Sequence, residues 1–409
     1  MGDMAGQWTI MVFMNAQSRL EPKSFANFAE MARVGSTPDV NIVVQYGRPQ
    51  RHYSNKFGAW SKTLRFRVEK GMEPVETNAI MDIGDVDMAA ASALGDFVSW
   101  ALERYPADHY CLVVWGHGWG WRMRDAVSPS DATETQRERE PQTAWVSYDR
   151  SAQEALAKVL GGRRLDIIGF DACLMATIES VYGMRRVARV FVGSQDMSPD
   201  TGWDYANWLS PVIGSPASHD PPGMTSRIFD SFSHRYRSRD YVTLSVLSLA
   251  EIDSVARALD RFAEAAIRWL PASIDIFRSA RQRCREYGGM FKVHSIDLCS
   301  FLDHVSGAAH ADANLTAVAM TATNHLRSAV TQNFAAAKSK EFLGSNGLNI
   351  YFPSTRVAFM ADPCRDGYRH GERGLPAEFV ENHAWANFLD AYWHALDDAA
   401  SRTRSPQPE

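Results

Sequence analysis

The feature that most constrains this chain is a series of short apolar runs, each the length of one strand and apolar at nearly every position. They occupy residues 8–14, 40–46, 110–115, 165–170, 190–193 and 242–247. A strand with one wet face alternates polar and apolar residues, whereas an interior strand of a parallel sheet covered on both sides need not. Between the runs the period changes. Leu94, Phe97, Val98, Ala101 and Leu102 recur at helical spacing, and Pro106 follows as a stop. Strands alternating with helices in this way predict an α/β fold with a largely parallel sheet and helices on both faces.

From Ala250 the character shifts to long amphipathic helices, with Ile252, Val255, Leu259, Phe262, Ala263, Ala266 and Leu270 forming one stripe. The expected division is a sheet-bearing domain over residues 1–250, a mainly helical region over 251–400 and a disordered polar tail over 401–409. Within the helical region one strand is expected at 347–353, ended by Pro353 and available to return to the sheet. Residues 124–142 are nearly devoid of large apolar side chains, so they are read as a flexible loop that interrupts the α/β part.

Several function classes are disfavoured at once. A net charge of −5, with Lys and Arg scattered among acids, provides no footprint for nucleic acid. No apolar run approaches the ~18–20 residues of a membrane-spanning helix. The first residues lack the basic start and apolar stretch of a secretory signal, which points to a cytoplasmic location. Five cysteines without a CxxC pair indicate neither a disulfide framework nor a thiolate zinc site, and no metal ligand set is assigned.

Two strand ends carry the chemistry. In YCLVVWGHGWGW, residues 110–121, an apolar strand ends in Gly-His-Gly. Reactive groups of open α/β sheets gather beyond the carboxyl ends of the strands, so His117 stands where a catalytic base would. The next strand ends in Asp171-Ala172-Cys173, followed by LMATIESVYGM, which has the composition of a helix. A thiol at a helix N-terminus is favoured as the thiolate, and this makes Cys173 the candidate nucleophile. Taken singly, His117 is equally a turn histidine and Cys173 a small buried hydrophobe. Their occurrence at the ends of consecutive strands favours the catalytic reading.

These segments resemble the clostripain family, caspase-like cysteine peptidases of bacteria and archaea. WTIMVFMNAQSRLE, LVVWGHGWGW, IIGFDACLMATIESVYGM, GSQDMSPDTGWDY and GLNIYFPS match its characteristic segments in order, from residue 8 to about 354. The resemblance implies a caspase-like sheet and a His117–Cys173 dyad that forms and then hydrolyses an acyl-enzyme. It implies an oxyanion site made by the backbone N–H groups of Gly118 and Cys173. It also implies that Asp171 lies in the pocket for the residue before the scissile bond, so that protein substrates would be cut after Arg, or Lys. The alternative for Asp171 is a cap on the following helix. Asp196 is a lesser candidate for the same pocket or a neighbouring one, and Gln195 and Trp203 are weaker still.

Residues 124–142 then read as a candidate activation loop, because relatives are cut between their His and Cys segments. Arg124, Arg137 and Arg139 are the processing candidates. The cut would come from the enzyme itself or from an activating protease in a signalling or antiviral cascade; an uncut exposed linker is the alternative. No cofactor is required. Calcium dependence is implied by resemblance only, since Asp82, Asp85 and Asp87 lack calcium-loop spacing and are read as a helix-start cluster. Cys111 and Cys284 are read as structural or incidental. Two other functions stay open: a thiol transpeptidase or ligase on the same dyad, and a non-catalytic caspase-like regulatory module.

Overall fold

All six apolar runs form strands in the computed structural model, which describes residues 6–122, 145–146, 149–239, 241–288, 293–308, 312–336, 344–368 and 377–404. In chain order the strands are β1 (Gly6–Asn15), β2 (Val40–Gly47), β3 (Thr63–Arg67), β4 (Met81–Asp82), β5 (Ala107–Trp115), β6 (His117–Gly118), β7 (Trp145–Val146), β8 (Leu165–Asp171), β9 (Ala188–Gly193), β10 (Thr243–Ser248), β11 (Glu286–Tyr287), β12 (Ser295–Asp297), β13 (Val330–Ala335) and β14 (Asn349–Tyr351). Nine of them build one sheet in the order β13-β10-β9-β8-β5-β1-β2-β3-β4. Its centre, from β9 to β2, is parallel, and the outer pairs are antiparallel.

The central strands are apolar throughout because both faces are covered. Along β1, Ile10, Val12 and Met14 join one apolar cluster, while Met11 and Phe13 join the other. The first face packs against the helices Glu21–Val34, Tyr205–Gly214 and Pro221–Tyr236. The second receives Ala91–Arg104, Arg150–Leu160 and the wholly buried Ile178–Met184.

The C-terminal helices pack on this second face too. Ile252–Arg283 places Val255, Leu259, Phe262, Ala266 and Leu270 in the same cluster as Phe170 and Phe191 of the sheet. Residues 251–400 therefore share a core with the sheet instead of forming a core of their own. The long helix bends after Pro271, where Ser273 leaves helical geometry.

The strand expected at 347–353 is present as β14, but it does not return to the main sheet. It pairs antiparallel with β12 in a separate three-stranded sheet with β11. The strand that does return is β13, which closes the edge beside β10. Part of the expected tail is helical instead, because the helix Trp385–Arg404 runs through residues 401–404. The acids read as a helix-start cluster are not one. Asp82 lies in β4 and pairs with Lys62 at 2.5 Å, Asp85 accepts from Gln50, Asp87 accepts from the Ala89 amide, and the helix begins only at Ala91.

Candidate active site

Neighbouring parallel strands bring the two motifs together. Trp115 at the end of β5 is in register with Asp171 at the end of β8, and the Gly116 amide donates to the Asp171 carbonyl at 3.3 Å. His117 and Cys173 each follow two residues beyond that paired end. Gly116 has φ 147, a conformation closed to most side chains, and it turns the chain out of the sheet there.

Gly118 then lies directly on the Cys173 backbone. A Cβ at this position would stand 2.3 Å from the Cys173 carbonyl oxygen and 2.8 Å from its nitrogen. Only glycine allows that approach. Gly118→Ala is expected to force the two loops apart, lowering stability by about 1–3 kcal/mol and kcat/KM by more than that loss of folding explains. Thermal unfolding alongside peptide turnover checks this; an alanine variant unchanged in both would mean that the loops do not touch.

Cys173 occupies a turn, not a helix N-terminus. The helix starts five residues later at Ile178, capped by Thr177, so its dipole does not act on the thiol. Neither does Asp171 cap that helix. Helical composition at 174–177 is overridden by tertiary bonds: the Leu174 amide donates to the Asp196 carbonyl, the Ala176 amide to the Ser194 carbonyl, and the Asn349 amide to the Ala176 carbonyl. Leu174 is held at φ 61, unfavourable for a bulky residue by about 1–2 kcal/mol.

The sulfur accepts a hydrogen bond from the Ser198 amide at 3.2 Å, while Ser198 Oγ donates to the Ala172 carbonyl. Cys173 is partly exposed, yet it packs against Trp119, Leu174, Tyr287 and Val293. Burial pushes its thiol up to about 12, opposed by the Ser198 amide and reinforced by the negative charges of Asp200, Asp196 and Asp171. A thiol pushed up in this way is protonated at neutral pH, so it would need a base to become a nucleophile. His117 is itself buried, on the loop whose next residue touches Cys173.

Asp171 sits on the opposite face of β8 from Ala172. Its Oδ2 accepts from the Trp203 amide at 2.8 Å and from the Tyr205 hydroxyl at 3.1 Å. Among the described residues Oδ1 accepts no hydrogen bond. Burial pushes this carboxyl up to about 7 against those two donors.

Asp196 does not offer a carboxylate to a substrate in this arrangement. Arg285 donates to its Oδ2 at 2.7 Å, and the Met197 and Gly288 amides donate to its Oδ1. Buried charges are stable when paired in this way, and the pair ties the loop after β9, which holds Leu174 through the Asp196 carbonyl, to the segment leading into β11. Gln195 is likewise structural: it donates to Asp297 and Asn349 and accepts from the Gly347 amide. Trp203, apart from its amide, packs over Gly169.

Other parts of the site carry no sequence signature. Arg122, immediately after the Gly-His-Gly-Trp-Gly-Trp segment, donates to both carboxylate oxygens of Asp362 at 2.6 Å and to the Val293 carbonyl at 3.3 Å. Tyr351 of β14 donates to Asp362 as well. Arg122 and Asp362 lie far apart in the chain and Arg285 sits in an unremarkable context, so no local pattern marks them; Ser198 and Tyr205 lie within GSQDMSPDTGWDY, but nothing in that segment tells which of its residues bond to Cys173 and Asp171. The loop 124–142, with Arg124, Arg137 and Arg139, lies outside the described residues. Among the described residues no group of His, Cys, Asp or Glu is arranged to hold a metal ion.

Known proteins resemble this chain in sequence and in fold. The sequence matches the clostripain family over residues 12–393. Clostripain of Hathewaya histolytica is 22% identical over 397 residues, covering 85% of this chain and 74% of that protein. Two solved structures share the fold. One is an inactive zymogen C11 protease from Parabacteroides distasonis, with 18% identity and a TM-score of 0.61, covering 94% of this chain and 99% of that one. The other is iotapain, a secreted C11 cysteine protease from Bacteroides thetaiotaomicron, with 16% identity, a TM-score of 0.62 and the same two coverages. With the family match spanning nearly its whole length, this chain belongs to the clostripain family of cysteine peptidases.

Proposed function

We propose that the protein is an endopeptidase that cuts after Arg or Lys, with Cys173 as nucleophile and His117 as its base. The observation that carries this reading is the Gly118–Cys173 contact, which sets the His117 loop on the Cys173 backbone; two residues before Cys173, the Asp171 carboxyl has one oxygen that accepts no hydrogen bond among the described residues. His117 takes the thiol proton, and sulfur adds to the scissile carbonyl. The oxyanion receives hydrogen bonds from the Gly118 and Cys173 amides. His117 then protonates the departing amine, the C–N bond breaks, and a thioester remains. Water, deprotonated by His117, attacks it and returns the thiol.

Asp171 would receive the cationic side chain before the scissile bond, with a guanidinium reaching Oδ1. Turnover of fluorogenic peptides ending in Arg, Lys, Asp or Leu tests the reading. Arg and Lys are expected to be cut and the other two not; comparable cleavage of all four would overturn it.

The same site is proposed to be latent until cut within 124–142, at Arg124, Arg137 or Arg139, by the enzyme itself or by an upstream protease in a signalling or antiviral cascade. The setting of the Cys173 thiol, packed among apolar side chains and raised further by nearby acids, disfavours the thiolate and supports latency. N-terminal sequencing of an active preparation checks it. A new N-terminus inside the loop is expected, and full activity from a single intact chain would refute it.

A further inference from the structure

Asp171 is steered by a side chain to which the sequence assigns no role, Tyr205 at the end of GSQDMSPDTGWDY. Of the two donors on its Oδ2, the Trp203 amide belongs to the backbone, whereas the second is the hydroxyl of Tyr205 at the start of the helix Tyr205–Gly214. The Tyr205 ring is fully buried among the apolar residues of that face, with its centroid 6.0 Å from that of Trp208. Gly202 at φ 65 lets the 201–203 turn close on the carboxyl, since a Cβ there would stand 2.6 Å from Oδ2.

We propose that Tyr205 is a positioning residue for basic substrates: with the Trp203 amide it engages Oδ2 of Asp171, leaving Oδ1 to face the substrate's guanidinium or ammonium group. The inference rests on Asp171 being the substrate-binding carboxylate. An oxygen accepting two hydrogen bonds is a poor site for a proton, so any proton on this carboxyl sits on Oδ1 and competes directly with the substrate cation. Tyr205 stabilises the carboxylate against that proton.

The other ionisable groups around the pocket are fixed by their own contacts. Glu30 raises Asp171 and Arg235 lowers it, and Arg235 is paired with Glu30 at 3.0 Å and Asp204 at 3.7 Å. Tyr236 donates to the Gly202 carbonyl, and Cys173 lies two residues along the chain. None of these replaces the Tyr205 hydroxyl on Oδ2.

Tyr205→Phe keeps the ring and deletes the donor. The readout is the Ki of agmatine, a guanidinium without a scissile bond, measured from pH 6 to 9 against an Arg peptide with the active enzyme. In the wild type Ki is expected to weaken as pH falls below about 7. In Tyr205→Phe this limb moves up by about one pH unit, making Ki about five- to tenfold weaker at pH 7 and within about twofold of wild type at pH 9. An unmoved limb, or an equal loss at every pH, would overturn the proposal. Asp171→Asn run in parallel separates the two ideas. If that variant still prefers Arg, the reading of Asp171 fails. If it loses the preference while the Tyr205→Phe limb stays put, only the role of Tyr205 fails.

Discussion

Cys173→Ala is expected to abolish peptide turnover, with kcat/KM falling on the order of 10⁴-fold or more, while the protein stays folded. Removing the nucleophile eliminates the acyl-enzyme route entirely, and what remains is at best binding and oxyanion stabilisation of an uncatalysed attack. The structural loss is small, because the sulfur of this partly exposed residue accepts one amide hydrogen bond, from Ser198, and the loop is held by other backbone bonds. Thermal unfolding within a few degrees of wild type, together with lost turnover of an Arg peptide, is the expected pair of results. Turnover equal to wild type would remove Cys173 from the mechanism. The variant also separates the two proposed routes of activation: under the proposal it would not cut its own 124–142 loop but would remain a substrate for another protease.

Asp171→Asn is expected to reduce kcat/KM for Arg and Lys peptides about 10²- to 10³-fold and erase the preference over Leu, since a buried cation would lose its counter-charge. Stability should move the other way. The folded-state pKa of Asp171, about 7, lies above the unfolded value near 3.8. The contribution of this group to stability is therefore fully present below pH ~3.8 and is lost as pH rises through 7. Asparagine, whose carbonyl can still accept from the Trp203 amide and the Tyr205 hydroxyl, carries no such alkaline penalty. The variant is expected to be more stable than wild type at pH 8 by up to a few kcal/mol, and indistinguishable from it near pH 4. Unfolding midpoints at the two pH values beside Arg/Leu selectivity decide the matter. Retained Arg preference refutes the recognition role.

The sheet could be read from the sequence because burial on both faces removes polar residues from its interior strands, and that leaves runs such as 110–115 and 165–170. The strand ends were legible for a related reason: Gly116 and Gly118 are required by backbone geometry, so they stand out against the apolar run before them. β13 was missed because an edge strand is only half-buried and VTQNFA carries no continuous apolar signal. The helix expected to begin at Cys173 begins later because three backbone partners from distant segments claim residues 174–176, and local composition cannot register them. Asp196 illustrates the same blindness. A carboxylate on a loop beyond a strand looks available until Arg285 is seen to occupy it.

The pairing of β5 with β8 has a consequence for what a cut between them would leave behind. The two strands lie at the middle of the sheet on either side of residues 124–142, and Arg122 on the near side is clasped by Asp362 on the far side. A nick in that stretch would part the covalent chain without parting the particle. The pieces would stay interleaved under native conditions, but once unfolded they could meet again only by diffusion, so recovery would depend on concentration. A molecule cut there would have a direction in time: after denaturation it would not readily return.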